Sequence, residues 1–157
     1  VAFSTCDNPI GDMCWSTDFA ANRAINTCEG SEYADLEEQH GRYCSTNYLA
    51  GAKLTCKEKN MELPTLAQLA QLASNLYVDN NGNEVTIGAK EKKSGLKVKD
   101  EYKDNPPITL GFHYWSSNEY SLDHARYRRF TLTFTHSNEY YEYPKDTSNA
   151  RAVCISN

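Results

Sequence analysis

The 157 residues hold no apolar run of the length, about 20 residues, that a helix needs to cross a membrane. They hold no C-x-x-C pair, which excludes the spacing of a zinc ribbon or a thioredoxin-type redox motif. No G-x-S-x-G elbow surrounds any serine, Ser116 and Ser117 included. The four histidines, His40, His113, His124 and His136, form no pair at the spacing of a metal-binding helix. Basic charge is scarce as well: 16 Lys and Arg stand against 21 Asp and Glu, a net charge of -5. Phosphate backbones require a basic face, so no nucleic-acid partner is expected. Lys90, Lys92, Lys93, Lys97 and Lys99 cluster, but Glu91, Asp100 and Glu101 interrupt them, as in a solvated loop. The expectation is a protein without catalytic residues, without metal and without a cofactor.

What is present is one domain's length of chain, enough to bury roughly two-thirds of its unfolded surface. Aromatics make up 11% of the residues, which argues for a folded, polar-surfaced domain rather than a disordered one. Six cysteines, at 6, 14, 28, 44, 56 and 154, form an even set at wide, irregular intervals. That pattern fits structural disulfides in an oxidising compartment, outside the cell or at its surface. Sequence alone does not choose their pairing. The chain starts at Val1, and an exported protein needs an export signal. A further segment ahead of Val1 is therefore expected, and any membrane attachment would run through it.

Residues 1–47 read as a cysteine-rich segment and 48–157 as the main domain, the two forming one unit. Residues 18–27 suggest a short helix with Phe19, Ala20, Ala24 and Ile25 apolar, and 30–41 an acidic loop or loose helix. Residues 48–59 read as an amphipathic helix, with Leu49, Ala52 and Cys56 near one face. A second helix starts after Leu63-Pro64-Thr65, with Thr65 and Gln68 spaced as a capping box and Leu66, Leu69, Ala70, Ala73 and Leu76 as its stripe. Tyr77-Val78 and Val85-Thr86-Ile87 flank Asn80-Asn81-Gly82-Asn83, which predicts a hairpin. Asp79 to Glu84 resembles a calcium loop, but Lys90 stands where the bidentate Glu belongs. Residues 88–107 read as a long loop and 108–115 as a strand. Residues 126–135 alternate, with Tyr127, Arg129, Thr131, Thr133 and Thr135 on one face and Arg128, Phe130, Leu132 and Phe134 on the other. Residues 150–155 read as a closing strand. Two helices followed by short strands indicate an α+β domain.

The last quarter of the chain has the composition of a paratope. Tyr gives large rigid contact area at small entropic cost, and Ser, Thr and Asn give adaptable hydrogen bonds. Ser121, Asp123, His124, Tyr127, Thr133, Thr135, His136, Asn138, Tyr140, Tyr141 and Tyr143 are the candidate ligand-binding residues. Trp115 reads as core.

Cys56, Leu63-Pro64-Thr65, Tyr114-Trp115-Ser116-Ser117-x-Glu119 and Arg151-Ala152-Val153-Cys154 stand in a familiar order. Over roughly residues 50–157 the chain resembles the C-terminal domain of collagen-like bacterial adhesins, a branch of the C-type-lectin-like fold related to formylglycine-generating enzymes. It also resembles the variable proteins of diversity-generating retroelements. The resemblance implies two helices, a small mostly antiparallel sheet, and a disulfide from the first helix to the last strand, matching Cys56 and Cys154. Short loop closure suggests Cys28–Cys44 and Cys6–Cys14 for the others. The enzyme branch needs a reactive cysteine pair in the C-terminal half, where only Cys154 stands, so that chemistry is not expected. The Glu-Pro-Asn, Gln-Pro-Asp and Trp-Asn-Asp calcium signatures of sugar-binding lectins are missing too. In the retroelement branch, adenine mutagenesis of asparagine codons leaves Lys, Glu, Gln, Met and Trp out of the diversified set. Trp115, Glu119, Glu139, Glu142 and Lys145 would then be framework. The cysteine-rich start is similar to the segment that comes after the removed N-terminal helix of pilin-like surface proteins. The expected function is extracellular recognition of a protein or glycan ligand, and the alternative is a pilin-like fibre subunit.

Overall fold

The computed structural model describes Cys6, residues 8–26, 46–121, 123–131 and 140–156, with the backbone alone for Tyr140 and Tyr141. Both central helices form where local chemistry favours them. Helix α1 (Tyr48–Glu58) is capped by Asn47, whose side-chain oxygen accepts the Ala50 N–H at 2.9 Å. It ends in a Schellman motif: the Met61 N–H donates to Cys56 O and the Asn60 N–H to Lys57 O, with Asn60 at φ 60°. Helix α2 (Leu66–Leu76) starts with the capping box that Thr65 and Gln68 predict. Its first free N–H, that of Leu66, is taken by Asn118 Oδ1 at 2.7 Å, which fixes the helix to the sheet.

The strands are β1 (Asn8–Ile10), β2 (Met13–Trp15), β3 (Phe19–Ala20), β4 (Tyr77–Asp79), β5 (Leu96–Val98), β6 (Phe112–Glu119), β7 (His124–Phe130), β8 (Tyr140–Pro144) and β9 (Arg151–Ala152). The main sheet has the order β3-β9-β6-β7-β8. Its pairings are antiparallel except that β9 runs parallel to β6. β1–β2 and β4–β5 form two small antiparallel ribbons. This is a small α+β fold with a mostly antiparallel sheet.

Both faces of the β6–β7 centre are covered. Tyr114 and Trp115 are neighbours in β6 and so point to opposite faces. Tyr114 joins Leu69, Leu72, Leu76, Trp15, Phe130 and Val153 in the core under α2. Trp115 joins Leu49, Ala52, Cys56, Ala125 and Ala152 in the core under α1. Ile10 and Trp15 place the described N-terminal strands in the first core, and Ala21 places its neighbourhood in the second. Gly51 lets α1 lie against the backbone of Arg23; a Cβ there would collide with the Arg23 carbonyl. Cys56–Cys154 bridges α1 to the second residue past β9, and Cys6–Cys14 closes the first ribbon. Both pairs match the expected pairing; Cys28–Cys44 lies outside the described residues.

Several local readings are corrected. Residues 18–26 form no helix. Phe19 pairs with Ala152, Ile25 bridges to Asn47, and Asp18 is used by Arg151 (2.7 Å) and by the Thr109 N–H (3.1 Å). A helix this short gains too little by itself to outweigh such partners. The Asn-Gly turn forms, with the Gly82 N–H on Asp79 O and φ 81° at Gly82. However, β4 pairs with Leu96–Val98 rather than with residues 85–87, leaving only a Val78–Glu84 bridge at the turn. Ile87 is drawn into the core instead, its N–H bonded to Ser74 Oγ at 2.9 Å. The segment read as a long loop, 88–107, thus contains a strand and a 3₁₀ turn at Asp100–Tyr102. Its start is pinned from below: buried Arg128 donates through Nη2 to the carbonyls of Gly88, Ala89 and Glu91 at 3.0–3.2 Å. The strand expected over 108–115 lies four residues later, because Gly111 at φ 89° interrupts the extended run. The alternating segment is strand over His124–Phe130, and 132–139 lie outside the described residues.

Candidate functional site

The β6–β7 hairpin brings together the first three candidate residues. Its closure is backbone-made: the Tyr120 and Ser121 N–H groups both donate to His124 O, at 3.0 and 3.1 Å. Ser121 then donates its hydroxyl proton to Asp123 Oδ1 at 2.6 Å and accepts the His124 N–H at 3.2 Å. His124 Nδ1 lies 3.0 Å from the same Asp123 oxygen. Burial pushes the Asp123 carboxyl up, but the bonds from Ser121 and His124 outweigh it and hold the group at about 2. A serine activated by imidazole needs a direct bond between the two. Here the serine proton goes to the carboxylate, so the cluster is a turn lock that presents polar groups.

The lock has a consequence in acid. Because the folded-state pKa is depressed, this carboxylate stabilises the fold fully above about pH 4 and loses that contribution as pH falls towards 2. Denaturant melts between pH 5 and pH 2 are expected to show Asp123→Asn with a shallower acid limb than the parent. Parallel limbs for the two proteins would show that Asp123 gains nothing from its partners.

Lys145 ties the base of the hairpin to its neighbours. Lys145 is buried, and its Nζ lies 2.6 Å from Glu119 Oε1, with side-chain exposures of 1% and 8%. The Lys145 N–H donates to Asp123 O at 2.8 Å, and its carbonyl accepts the Tyr48 N–H at 2.8 Å. Lys145 therefore ties the hairpin base, the end of β8 and the start of α1 together. Of the residues expected to be framework, Trp115, Glu119 and Lys145 have their side chains inside, Glu142 is exposed on β8, and Glu139 lies outside the described residues.

The remaining candidates divide. Tyr127 is a correction: alternation alone sets it on a polar outer face, yet only 7% of it is exposed. It does lie opposite Arg128 and Phe130, but α1 covers that second face. Tyr143 is partly buried and packs against His113 (4.9 Å between ring centres), Tyr127 (5.1 Å) and Trp115 (6.2 Å). In the same cluster burial pushes the His113 imidazole pKa down, helped by the charge of Arg129. Tyr140 and Tyr141 lie in the edge strand β8, opposite Arg128 and Tyr127. Thr133, Thr135, His136 and Asn138 lie outside the described residues. The structure adds two residues to the sequence-based set. Tyr120 is 48% exposed at the hairpin tip, and the Arg126 guanidinium lies 5.1 Å above its ring. Their signal is adjacency to Ser121 and the strand period that puts Arg126 beside the tip.

Among the described residues no cluster of His, Cys, Asp or Glu suits a metal ion. Asp79 spends its Oδ1 on the Asn81 and Asn83 N–H groups, both at 2.9 Å, as a turn-forming aspartate does. No helix among the described residues is long and apolar enough to cross a membrane. Compared with family models, curated proteins and solved structures, the chain matches none.

Proposed function

We propose that this is an extracellular ligand-binding domain of C-type-lectin-like fold, which recognises a protein or glycan through the β6–β7 hairpin tip and the neighbouring β8 edge. The observation that carries this reading is the three-way tie made by Lys145. It fixes the base of a loop whose tip displays Tyr120, Ser121, Asp123 and His124. A recognition loop held on a rigid frame loses little entropy on binding. Two disulfides support an oxidising, extracellular setting. The strand order and the Cys56–Cys154 bridge from the first helix to the chain just past the last strand support the lectin-like fold. Buried Trp115, Glu119 and Lys145 beside tip residues of the diversifiable set are what a diversified binding face would need. Tyr143 fits that pattern less well, since replacing it would disturb the packing on Trp115.

The test is to array the domain against glycans and cell-surface proteins, then titrate any ligand found with Tyr120→Ala and His124→Ala. The tyrosine change is expected to weaken binding about tenfold or more, while each variant's stability stays within about 0.5 kcal/mol. A ligand held equally well by both variants would put the site elsewhere.

A further inference from the structure

We infer that a second binding site lies between the end of α1 and the start of α2, and that it takes a small polyhydroxylated carboxylate. A cleft of about 560 Å³ opens there, sharing no residue with the hairpin tip. Its size falls within the roughly 300–1,000 Å³ of small-molecule sites. Met61 and buried Leu63 supply apolar lining. Lys57, Asn60, Gln68 and Ser117 line it as well.

What these four groups do within the chain leaves them capacity for a ligand. Gln68 spends its Oε1 on the Thr65 N–H, and its NH₂ has no acceptor among the described residues. The Ser117 N–H is used by Pro64 O, whereas its hydroxyl has no partner among the described residues. The same holds for the Lys57 ammonium and the Asn60 carboxamide. Asn60 occupies the left-handed C′ position of the Schellman motif, where glycine fits with less strain. With asparagine there, a carboxamide stands at the cleft.

Charge decides the ligand class. The Lys57 ammonium, without a partner among the described residues, puts a positive charge at the cleft on a chain whose net charge is -5. An ammonium suits a carboxylate, and the two carboxamides and the serine suit hydroxyls that both donate and accept. The Glu62 side chain is exposed, and its backbone is fixed by paired bonds to Ile155 at 2.8 and 2.9 Å. Its charge opposes a second negative group, which favours a monoanion.

The experiment is a titration of the ¹⁵N-labelled domain with sodium gluconate, beside sorbitol and sodium acetate. Sorbitol keeps the hydroxyls without the charge, and acetate keeps the charge without the hydroxyls. Gluconate is expected to move the amide signals of Asn60, Gln68 and Ser117 saturably, at concentrations where neither control does. Asn60→Gly and Ser117→Ala both keep the backbone bonds of their positions, and each is expected to weaken binding several-fold with the spectrum otherwise intact. Lys57→Gln is expected to weaken it about tenfold, and Glu62→Gln to tighten it several-fold. The proposal is overturned by the absence of saturation below roughly 100 mM, by equal shifts with either control, or by unchanged binding in the variants.

Discussion

Replacing Lys145 with methionine is expected to cost about 3–5 kcal/mol of stability, because it takes the Lys145 ammonium away from the Glu119 carboxylate inside the protein. The pair is 2.6 Å apart, and neither side chain has meaningful contact with water. An exposed pair of the same length would be worth at most about 1 kcal/mol. The double change Glu119→Leu with Lys145→Met is expected to recover most of the loss, since it removes both charges while the Lys145 backbone bonds to Asp123 and Tyr48 persist. Urea melts of the two single variants and the double variant measure this. If Lys145→Met alone cost less than about 1 kcal/mol, the pair would be energetically a surface pair and the frame under the hairpin would need another origin.

The second large effect concerns Cys56–Cys154. The two residues are 98 apart in sequence, and both are fully buried. In the chain-entropy view, closing so long a loop restricts the unfolded chain by about 4–5 kcal/mol, against about 2–3 kcal/mol for the eight-residue separation of Cys6–Cys14. Removing a native bridge of this kind commonly costs about 2–5 kcal/mol. A Cys56→Ala, Cys154→Ala protein is therefore expected to unfold at clearly lower denaturant than one lacking Cys6 and Cys14. Equal midpoints for the two would show that native-state strain or residual unfolded structure, not loop length, governs these bridges. Non-reducing peptide mapping of the parent checks the connectivity itself.

The helices are legible in the sequence because their signals are local. Asn47, the Thr65–Gln68 box and the apolar stripe of α2 lie within a few residues of what they cap or cover. Strand partners are not legible in the same way. Val85 and Ile87 look as suited to pair with β4 as Leu96 and Val98 do. Their fate depends on Ser74 and Arg128, which are distant in sequence. Tyr127 shows the limit of alternation most clearly. A period of two tells which residues share a face, but not whether a helix lies over it. The hydrogen-bonding composition of the hairpin does point to Ser121, Asp123 and His124, whereas the tie through Lys145 leaves no trace in composition. A lysine in sequence reads as solvated, and only the opposing Glu119 makes its burial tolerable.

The strand order bears on how the protein is made. β9 lies inside the main sheet, between β3 and β6, and Ile155 bridges back to Trp15 and Glu62. Strands near residue 20 therefore await partners near residue 152, whatever has been synthesised between them. A ribosome adding about 5–20 residues per second exposes the early segments for several seconds before residues 151–155 exist. During that interval the sheet lacks an interior strand and the buried half of its longest bridge. The nascent chain thus stays open until residues 151–155 are made. Completion of the fold is timed by the position of one two-residue strand.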